Sequence, residues 1–146
     1  MALPKTILFA TDFSPSAKLA QRQAVELAQK LGARLYVLHV WRLPQMNIES
    51  GWVITEDVYS QIELAARTAL LEAVTEARGT LPSAEEKLVQ GDPRDCIVDI
   101  AKQLKADMIV LGTHGRRGLS RAFLGSVAEY IVRHGPCAVL VVRETE

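Results

Sequence analysis

The sequence lacks any apolar run long enough to span a bilayer, and it does not open with the charged and then apolar pattern of a secretion signal. It has only two cysteines, Cys96 and Cys137, which are too few and too far apart for a disulfide framework. No cluster of His, Cys and carboxylate residues has the spacing of a metal site. These absences predict a cytoplasmic protein with reduced thiols, no membrane segment and no protein-bound metal centre.

The chain also lacks net charge, because 17 Lys and Arg residues balance 17 Asp and Glu residues. Binding to a nucleic-acid backbone needs many uncompensated cations, so the balance argues against nucleic acid as the main partner. What the chain does contain is apolar residues, which make up 49% of its 146 positions. Length and composition together predict one globular domain, residues 1–146, with a buried core.

Apolar runs typical of buried parallel strands alternate along the chain with amphipathic helical patterns. The runs predict five strands, at 6–11, 35–41, 87–90, 108–111 and 138–142. Four helices lie between them and begin at Pro15, Glu56, Pro93 and Ser126, with Ser14 and Asp92 as N-caps of the first and third. Such alternation requires a parallel sheet covered by helices on both faces, but the pattern alone does not order the strands.

The most informative segment follows the fourth strand, where Gly112-Thr113-His114-Gly115 precedes Gly125-Ser126 by nine residues. A strand leads into this segment and a helix leads out of it. Helix N-termini attract anions through unpaired N–H groups and the helix dipole, and glycine lets a phosphate approach the backbone. Arg116, Arg117 and Arg121 add positive charge. The segment predicts a phosphate site; an ordinary strand-to-helix loop is the alternative.

The spacing Gly-x-x-Gly, nine residues, Gly-Ser closely resembles the nucleotide loop of the universal stress protein family. The resemblance extends over nearly the whole chain through Lys5–Ser14, Leu35–Val40, Gly91–Pro93 and Pro136–Val142. It implies an α/β fold with an open five-stranded parallel sheet of order 3-2-1-4-5 and helices on both faces, Rossmann-like and similar to the adenine nucleotide alpha hydrolase fold. In that order the first and fourth strands are neighbours at a topological switch point, where ligands usually bind.

The resemblance further implies that this crevice binds ATP, together with Mg²⁺. The residues that it assigns to the nucleotide follow the first strand, end the second strand, or belong to the glycine segment and the start of the last helix. They are Ala10, Thr11, Asp12, Val40, Gly112, Thr113, Gly115, Arg116, Gly125, Ser126 and Val127.

Several of these residues have a second interpretation. Asp12 can accept hydrogen bonds from ribose or adenine or approach a phosphate-bound magnesium, but it can equally form an Asx turn. The backbone of Val40 can pair with an adenine edge, while its side chain belongs to the core. Ser126 either contacts phosphate or caps the last helix. Arg116 is a phosphate partner, whereas Arg117 and Arg121 are predicted to be solvated.

The three histidines do not indicate catalysis. His114 has no recognisable nucleophile partner, His39 is predicted to be a hydrogen-bonded core residue, and His134 suits a helix C-terminus. We therefore expect a nucleotide-dependent stress regulator or sensor with weak or no turnover and no catalytic residue. A slow ATPase at the same site and a ligand-free dimeric interaction module are the alternatives; the motifs of adenylate-forming ligases are absent after the first strand.

Two surface segments carry further predictions. Ala138–Val142 is wholly apolar, yet the implied order places it at an edge of the sheet, where an uncharged strand invites pairing. We expect a homodimer through Ala138–Arg143, in agreement with the family. Arg42–Thr55 is long for a strand-to-helix connection and leaves the second strand on the crevice side, so we expect it to cover the nucleotide as a partial lid. Trp52 lies inside this segment.

Overall fold

The computed structural model describes residues 2–44, 51, 54–113 and 124–144. Strands and helices alternate along these segments as β1 (Thr6–Ala10), α1 (Pro15–Leu31), β2 (Arg34–Trp41), α2 (Glu56–Arg78), β3 (Glu85–Gln90), α3 (Pro93–Leu104), β4 (Met108–Thr113), α4 (Ser126–His134) and β5 (Ala138–Arg143). Within the described segments, no helix combines the length and the apolar composition that crossing a membrane requires.

The five strands form one parallel sheet of order β3-β2-β1-β4-β5, which confirms the predicted topology. The element bounds differ from the sequence-based ones by one or two residues. Strand β3 begins at Glu85 rather than Lys87, because an edge strand does not need apolar residues to pair with its neighbour. Strand β4 continues through Gly112 and Thr113, which pair with Val142 and Arg143 of β5. Strand β1 ends one residue early, at Ala10.

Two apolar cores lie on the two faces of the sheet, as expected for helices on both sides. Helices α1 and α2 cover one face, where the buried strand residues include Ile7, Phe9, Leu35, Val37 and Val110. Helices α3 and α4 cover the other face, where the buried strand residues include Leu8, Ala10, Leu38, Ile109 and Leu111. The strands therefore have apolar residues on both faces, which is why they appear in the sequence as continuous apolar runs.

The start of α1 lies directly against β4. The hydroxyl Oγ of Ser14 accepts a hydrogen bond from the N–H of Ala17 at 3.2 Å, which confirms Ser14 as the N-cap. The helix then presents small residues, Ala17, Ala20 and Ala24, to the sheet. This close packing brings the loop between β1 and α1 beside the end of β4, so the ends of both central strands meet at one edge of the sheet.

Candidate functional site

A cavity of about 320 Å³ lies at the carboxyl ends of β1, β2 and β4, on the side covered by α3 and α4. It is the crevice at the predicted switch point, because β1 and β4 are adjacent in the sheet. Every predicted site residue that the structure describes lines it: Ala10, Thr11, Asp12, Val40, Gly112, Thr113, Gly125, Ser126 and Val127. Gly115 and Arg116 lie outside the described residues, as do His114, Arg117 and Arg121.

The loop after β1 is shaped by hydrogen bonds between its own residues. The hydroxyl of Thr11 accepts from the N–H of Phe13 at 3.0 Å, and Oδ1 of Asp12 accepts from the N–H of Ser14 at 3.0 Å. The second bond is the Asx turn that the sequence left as an alternative for Asp12. Phe13 has a φ of 64°, an uncommon value for a non-glycine residue. The turn thus fixes the Asp12 carboxylate at the cavity wall.

The end of β2 brings backbone polar groups to the same cavity. The carbonyl of Leu38 accepts from Thr11 N–H at 2.8 Å on the β1 side, and the carbonyl of Trp41 accepts from Gly91 N–H at 2.9 Å on the β3 side. Backbone groups alternate along a strand, so the N–H and C=O of Val40 point to the same side as those of Leu38. Strand β1 has ended there, and these groups therefore face the cavity.

The two ends of the glycine segment are joined across the cavity floor. The hydroxyl of Thr113, which is 3% exposed, donates a hydrogen bond to the carbonyl of Leu124. Leu124 and Thr113 both line the cavity, one before α4 and the other at the end of β4. This bond keeps the end of β4 close to the start of α4, so the segment between them begins and ends at the cavity.

The N-terminus of α4 opens onto this cavity. Gly125, with a φ of 82°, occupies the N-cap position, and no side chain of the described residues makes a capping hydrogen bond there. The interpretation of Ser126 as the helix cap is therefore wrong, because Ser126 is the first residue inside the helix and the capping backbone needs a glycine conformation. Backbone N–H groups in the first turn of a helix attract anions, and here they border a cavity.

Much of the remaining wall is apolar and was not predicted from the sequence. These residues come from the strands, from the starts of α1, α3 and α4, and from the position just before the N-cap of α4: Ala17, Leu38, Pro93, Ile97, Leu111, Leu124 and Ala128. Two signals were available. Leu38 lies two residues before Val40 and therefore on the same face of β2. The segment Gly91–Pro93, which is part of the family resemblance, leads into the helix that carries Ile97. The wall offers an apolar surface to a flat ring beside the polar backbone of Val40.

The two described cysteine thiols are not activated for nucleophilic chemistry. Burial raises the pKa of the Cys96 thiol above its ordinary value of 9.0, and the carboxylates of Asp99, Asp92 and Asp95 raise it further. Burial also raises the pKa of Cys137, with an added effect of Asp107. Both thiols are therefore protonated at neutral pH, and a protonated thiol is a poor nucleophile.

His39 and His134 are accounted for by local contacts. Nδ1 of half-buried His39 lies 2.7 Å from the carbonyl oxygen of Thr11, which confirms that its side chain is hydrogen-bonded. Its ring lies 4.3 Å from the Phe13 ring, centroid to centroid. His134, in the last turn of α4, contacts the Tyr130 ring at 4.3 Å.

The predicted lid lies largely outside the described residues, which omit 45–50, Trp52 and Val53. Its root is described and is well packed. The indole of Trp41 is buried and meets the ring of Tyr59 edge-on at 5.3 Å, and the Tyr59 hydroxyl donates to Oε1 of Gln90 at 2.8 Å. The start of α2 is thereby fixed against the ends of β2 and β3.

Comparison with known proteins assigns the fold and its relatives. The model of the universal stress protein family matches residues 4–143. A universal stress protein of Thermus aquaticus is 37% identical over 139 residues, 95% of this chain and 98% of the relative. One from Methanocaldococcus jannaschii is 30% identical over 145 residues, 97% of this chain and 84% of the relative.

Solved structures agree with these matches. Universal stress protein UspA from Lactobacillus plantarum is 29% identical with a TM-score of 0.80, covering 98% of this chain and 100% of that one. A universal stress protein in complex with cAMP is 26% identical with a TM-score of 0.76, covering 99% and 100%. One from Archaeoglobus fulgidus in complex with dAMP is 27% identical with a TM-score of 0.68, covering 97% and 99%.

Proposed function

The chain belongs to the universal stress protein family, and we propose that it binds ATP with Mg²⁺ and acts as a nucleotide-dependent stress regulator or sensor. The observation that carries the proposal is the cavity at the switch point, which gathers residues from the ends of β1, β2 and β4 and from the start of α4. Structural relatives in complex with cAMP and dAMP support an adenine nucleotide as the ligand class.

The base-binding end of the proposed site is the part beside β2 and α3. Leu38 and Ile97 supply apolar surface there, and Val40 supplies a backbone donor and acceptor. An adenine ring needs both kinds of contact, because its faces are apolar and its edge carries a donor beside an acceptor. Asp12 borders the same cavity and can accept a hydrogen bond from a ribose hydroxyl.

The phosphate-binding end of the proposed site is the start of α4. Gly125 and Ser126 place first-turn N–H groups at the cavity, where the helix dipole favours negative charge. Asp12 is the acidic side chain among the described lining residues. Mg²⁺ in nucleotide sites typically takes one or two carboxylates plus phosphate oxygens, so this donor set fits the ion. The ion would neutralise part of the phosphate charge.

The same contacts favour binding over fast turnover. Hydrolysis requires a group that orients the attacking water. Asp12 is the acidic side chain among the described lining residues, and the proposal assigns it to ribose and Mg²⁺ rather than to water. We therefore propose weak or no ATP hydrolysis, which distinguishes a sensor from a slow ATPase at the same site.

The proposed assembly is a homodimer through Ala138–Arg143. The two edges of the sheet differ in chemistry: β3 begins with the charged residues Glu85, Glu86 and Lys87, whereas Ala138–Val142 of β5 is apolar. Charged residues protect an edge strand from pairing, and β5 lacks them over most of its length. Pairing of β5 with its copy across a two-fold axis would cover this edge.

Calorimetric titration of the purified protein with ATP and with adenosine tests the function. We expect ATP to bind more tightly than adenosine, because the glycine segment and the α4 N-terminus are proposed to contact the phosphates rather than the base. Equal affinity for both would contradict the phosphate site. Incubation with radiolabelled ATP followed by product analysis separates binding from hydrolysis: unchanged ATP supports a sensor, and stoichiometric or repeated turnover supports the ATPase.

A further inference from the structure

Both backbone polar groups of Thr11 make hydrogen bonds to β2, one to a backbone group and the other to a side chain. Its N–H donates to the carbonyl of Leu38 at 2.8 Å, a normal strand bond. Its carbonyl instead lies 2.7 Å from Nδ1 of His39. A carbonyl only accepts hydrogen bonds, so this Nδ1 carries the proton and donates it.

This exchange of partners occurs where the β1–β2 ladder stops. In a regular parallel ladder, the hydrogen bond from Thr11 N–H to Leu38 C=O is followed by a hydrogen bond from Val40 N–H to Thr11 C=O. Among the backbone hydrogen bonds of the described residues, the bond from Thr11 N–H is present and the bond from Val40 N–H is not, so the ladder stops after Thr11 N–H. The His39 side chain occupies the carbonyl that Val40 would otherwise use, and Val40 N–H faces the cavity instead.

We propose that His39 is a positioning residue of the nucleotide site. Its imidazole holds the Thr11 carbonyl, ends the β1–β2 ladder one bond early, and so keeps Val40 N–H available to the edge of the base. The part of this inference that concerns the nucleotide rests on the proposed function. The part that concerns the end of the β1–β2 ladder rests on the hydrogen bonds of the protein alone.

A second contact explains how the imidazole keeps its place. Its ring lies 4.3 Å from the ring of Phe13 and is tilted by 44°. Phe13 has a φ of 64°, and a non-glycine residue holds such a conformation only where its surroundings favour it. His39 thus contacts both the residue before and the residue after Asp12, so its position also sets that of the turn bearing the carboxylate.

Two variants separate the hydrogen bond from the ring contact. His39→Asn places an amide N–H near the position of Nδ1 and keeps the donor without the ring. His39→Phe keeps a ring against Phe13 but has no donor. If the donor is what matters, the asparagine variant should retain the function of the wild type and the phenylalanine variant should lose it.

The first measurement needs no ligand. In the unmodified protein, ¹⁵N NMR should show a proton on Nδ1 of His39, and the Val40 amide should exchange quickly with solvent. In His39→Phe the freed Thr11 carbonyl should pair with Val40 N–H and slow its exchange by about tenfold or more, as added ladder bonds do. An Nδ1 without a proton, or Val40 exchange that is the same in both proteins, would overturn the inference.

The second measurement is calorimetry with adenosine and ATP. His39→Phe should bind both about tenfold more weakly, the effect of losing one hydrogen bond to the base, while the ratio of the two affinities stays that of the wild type. His39→Asn should restore most of the affinity. A merely structural role predicts losses that follow the melting temperatures of the two variants, without rescue by asparagine.

The two proposals fail in different ways. If the unmodified protein binds no ATP, the proposed function is wrong, and the NMR result alone decides what His39 does to the ladder. If the unmodified protein binds ATP and His39→Phe binds it equally well, the inference is wrong and the proposed function stands.

Discussion

A Cβ atom added to Gly112 would lie 2.5 Å from the backbone carbonyl carbon of Ser16 and 2.6 Å from its carbonyl oxygen. Side-chain carbons do not approach backbone atoms so closely, and backbone in the first turn of a helix cannot easily move away. Gly112 is thus required for the packing of α1 on β4. The sequence analysis predicted that Gly112 contacts phosphate. Gly112 also lines the cavity, so one glycine can serve both the packing of α1 and the approach of phosphate.

Gly112→Ala should therefore lower the free energy of unfolding by about 1–3 kcal/mol, the usual cost of forcing an extra methyl group into a packed interface. Urea denaturation followed by circular dichroism measures it. Gly32→Ala is the control: Gly32 has a φ of 64° but open space around its Cβ position, so only the conformational cost of about 1 kcal/mol is expected. A Gly112→Ala protein as stable as the wild type would contradict the packing argument.

Gly125→Val should abolish nucleotide binding, because a branched side chain at a φ of 82° strains the N-cap of α4 and obstructs the approach of phosphate. We expect the same of Gly115→Val, a residue outside the described segments. Ser126→Ala should be milder, near the ~1 kcal/mol of one neutral hydrogen bond. Calorimetry with ATP on variants that circular dichroism shows to be folded is the measurement. Full affinity in both glycine variants would place the site elsewhere.

Thr113→Val should weaken ATP binding without removing it. Valine has nearly the shape of threonine but cannot donate to the Leu124 carbonyl, so the end of β4 and the start of α4 lose one link. We expect a loss of about 1 kcal/mol in binding, roughly a fivefold change in affinity. Thr113→Ser keeps the hydroxyl and is the matched control. Equal losses in the two variants would assign the effect to packing.

Most of the fold could be predicted because its signals are local. Buried strands, helix caps and glycine stops all lie in short stretches of chain, and parallel alternation permits few topologies. The start of β3 was missed because Glu85 and Glu86 lie at an exposed edge. The site was predicted at strand ends and glycines, whereas Ile97 was missed because its place at the cavity depends on how α3 packs. The bond between His39 and Thr11 needs three-dimensional contact and has no sequence signal.

ATP should protect the segment Arg42–Thr55 from protease if this segment covers the bound nucleotide. Its root is fixed by the contact of Trp41 with Tyr59, so any change must occur beyond Trp41. Limited trypsin digestion at saturating ATP, with cleavage at Arg42 followed by mass spectrometry, measures protection; tryptophan fluorescence gives an independent signal through Trp52. Digestion at Arg78, at the far end of α2, is the internal control. An unchanged pattern at saturating ATP would argue against a lid.

The unmodified protein should be a dimer at micromolar concentration, and Val141→Pro should give monomer or aggregate. Val141 lies in the edge strand β5, where it pairs with Leu111 of β4, and the middle residues of β5 are only half-buried in the single chain. Proline removes a backbone donor and its ring clashes within a strand, so it disrupts pairing at this seam. Light scattering coupled to size-exclusion chromatography measures the mass. Glu86→Pro in the opposite edge strand β3 is the control and should leave the dimer intact, because the Glu86 N–H points away from β2 and the proposed seam does not include that edge. A monomeric unmodified protein would refute the dimer and leave the apolar edge of β5 unexplained.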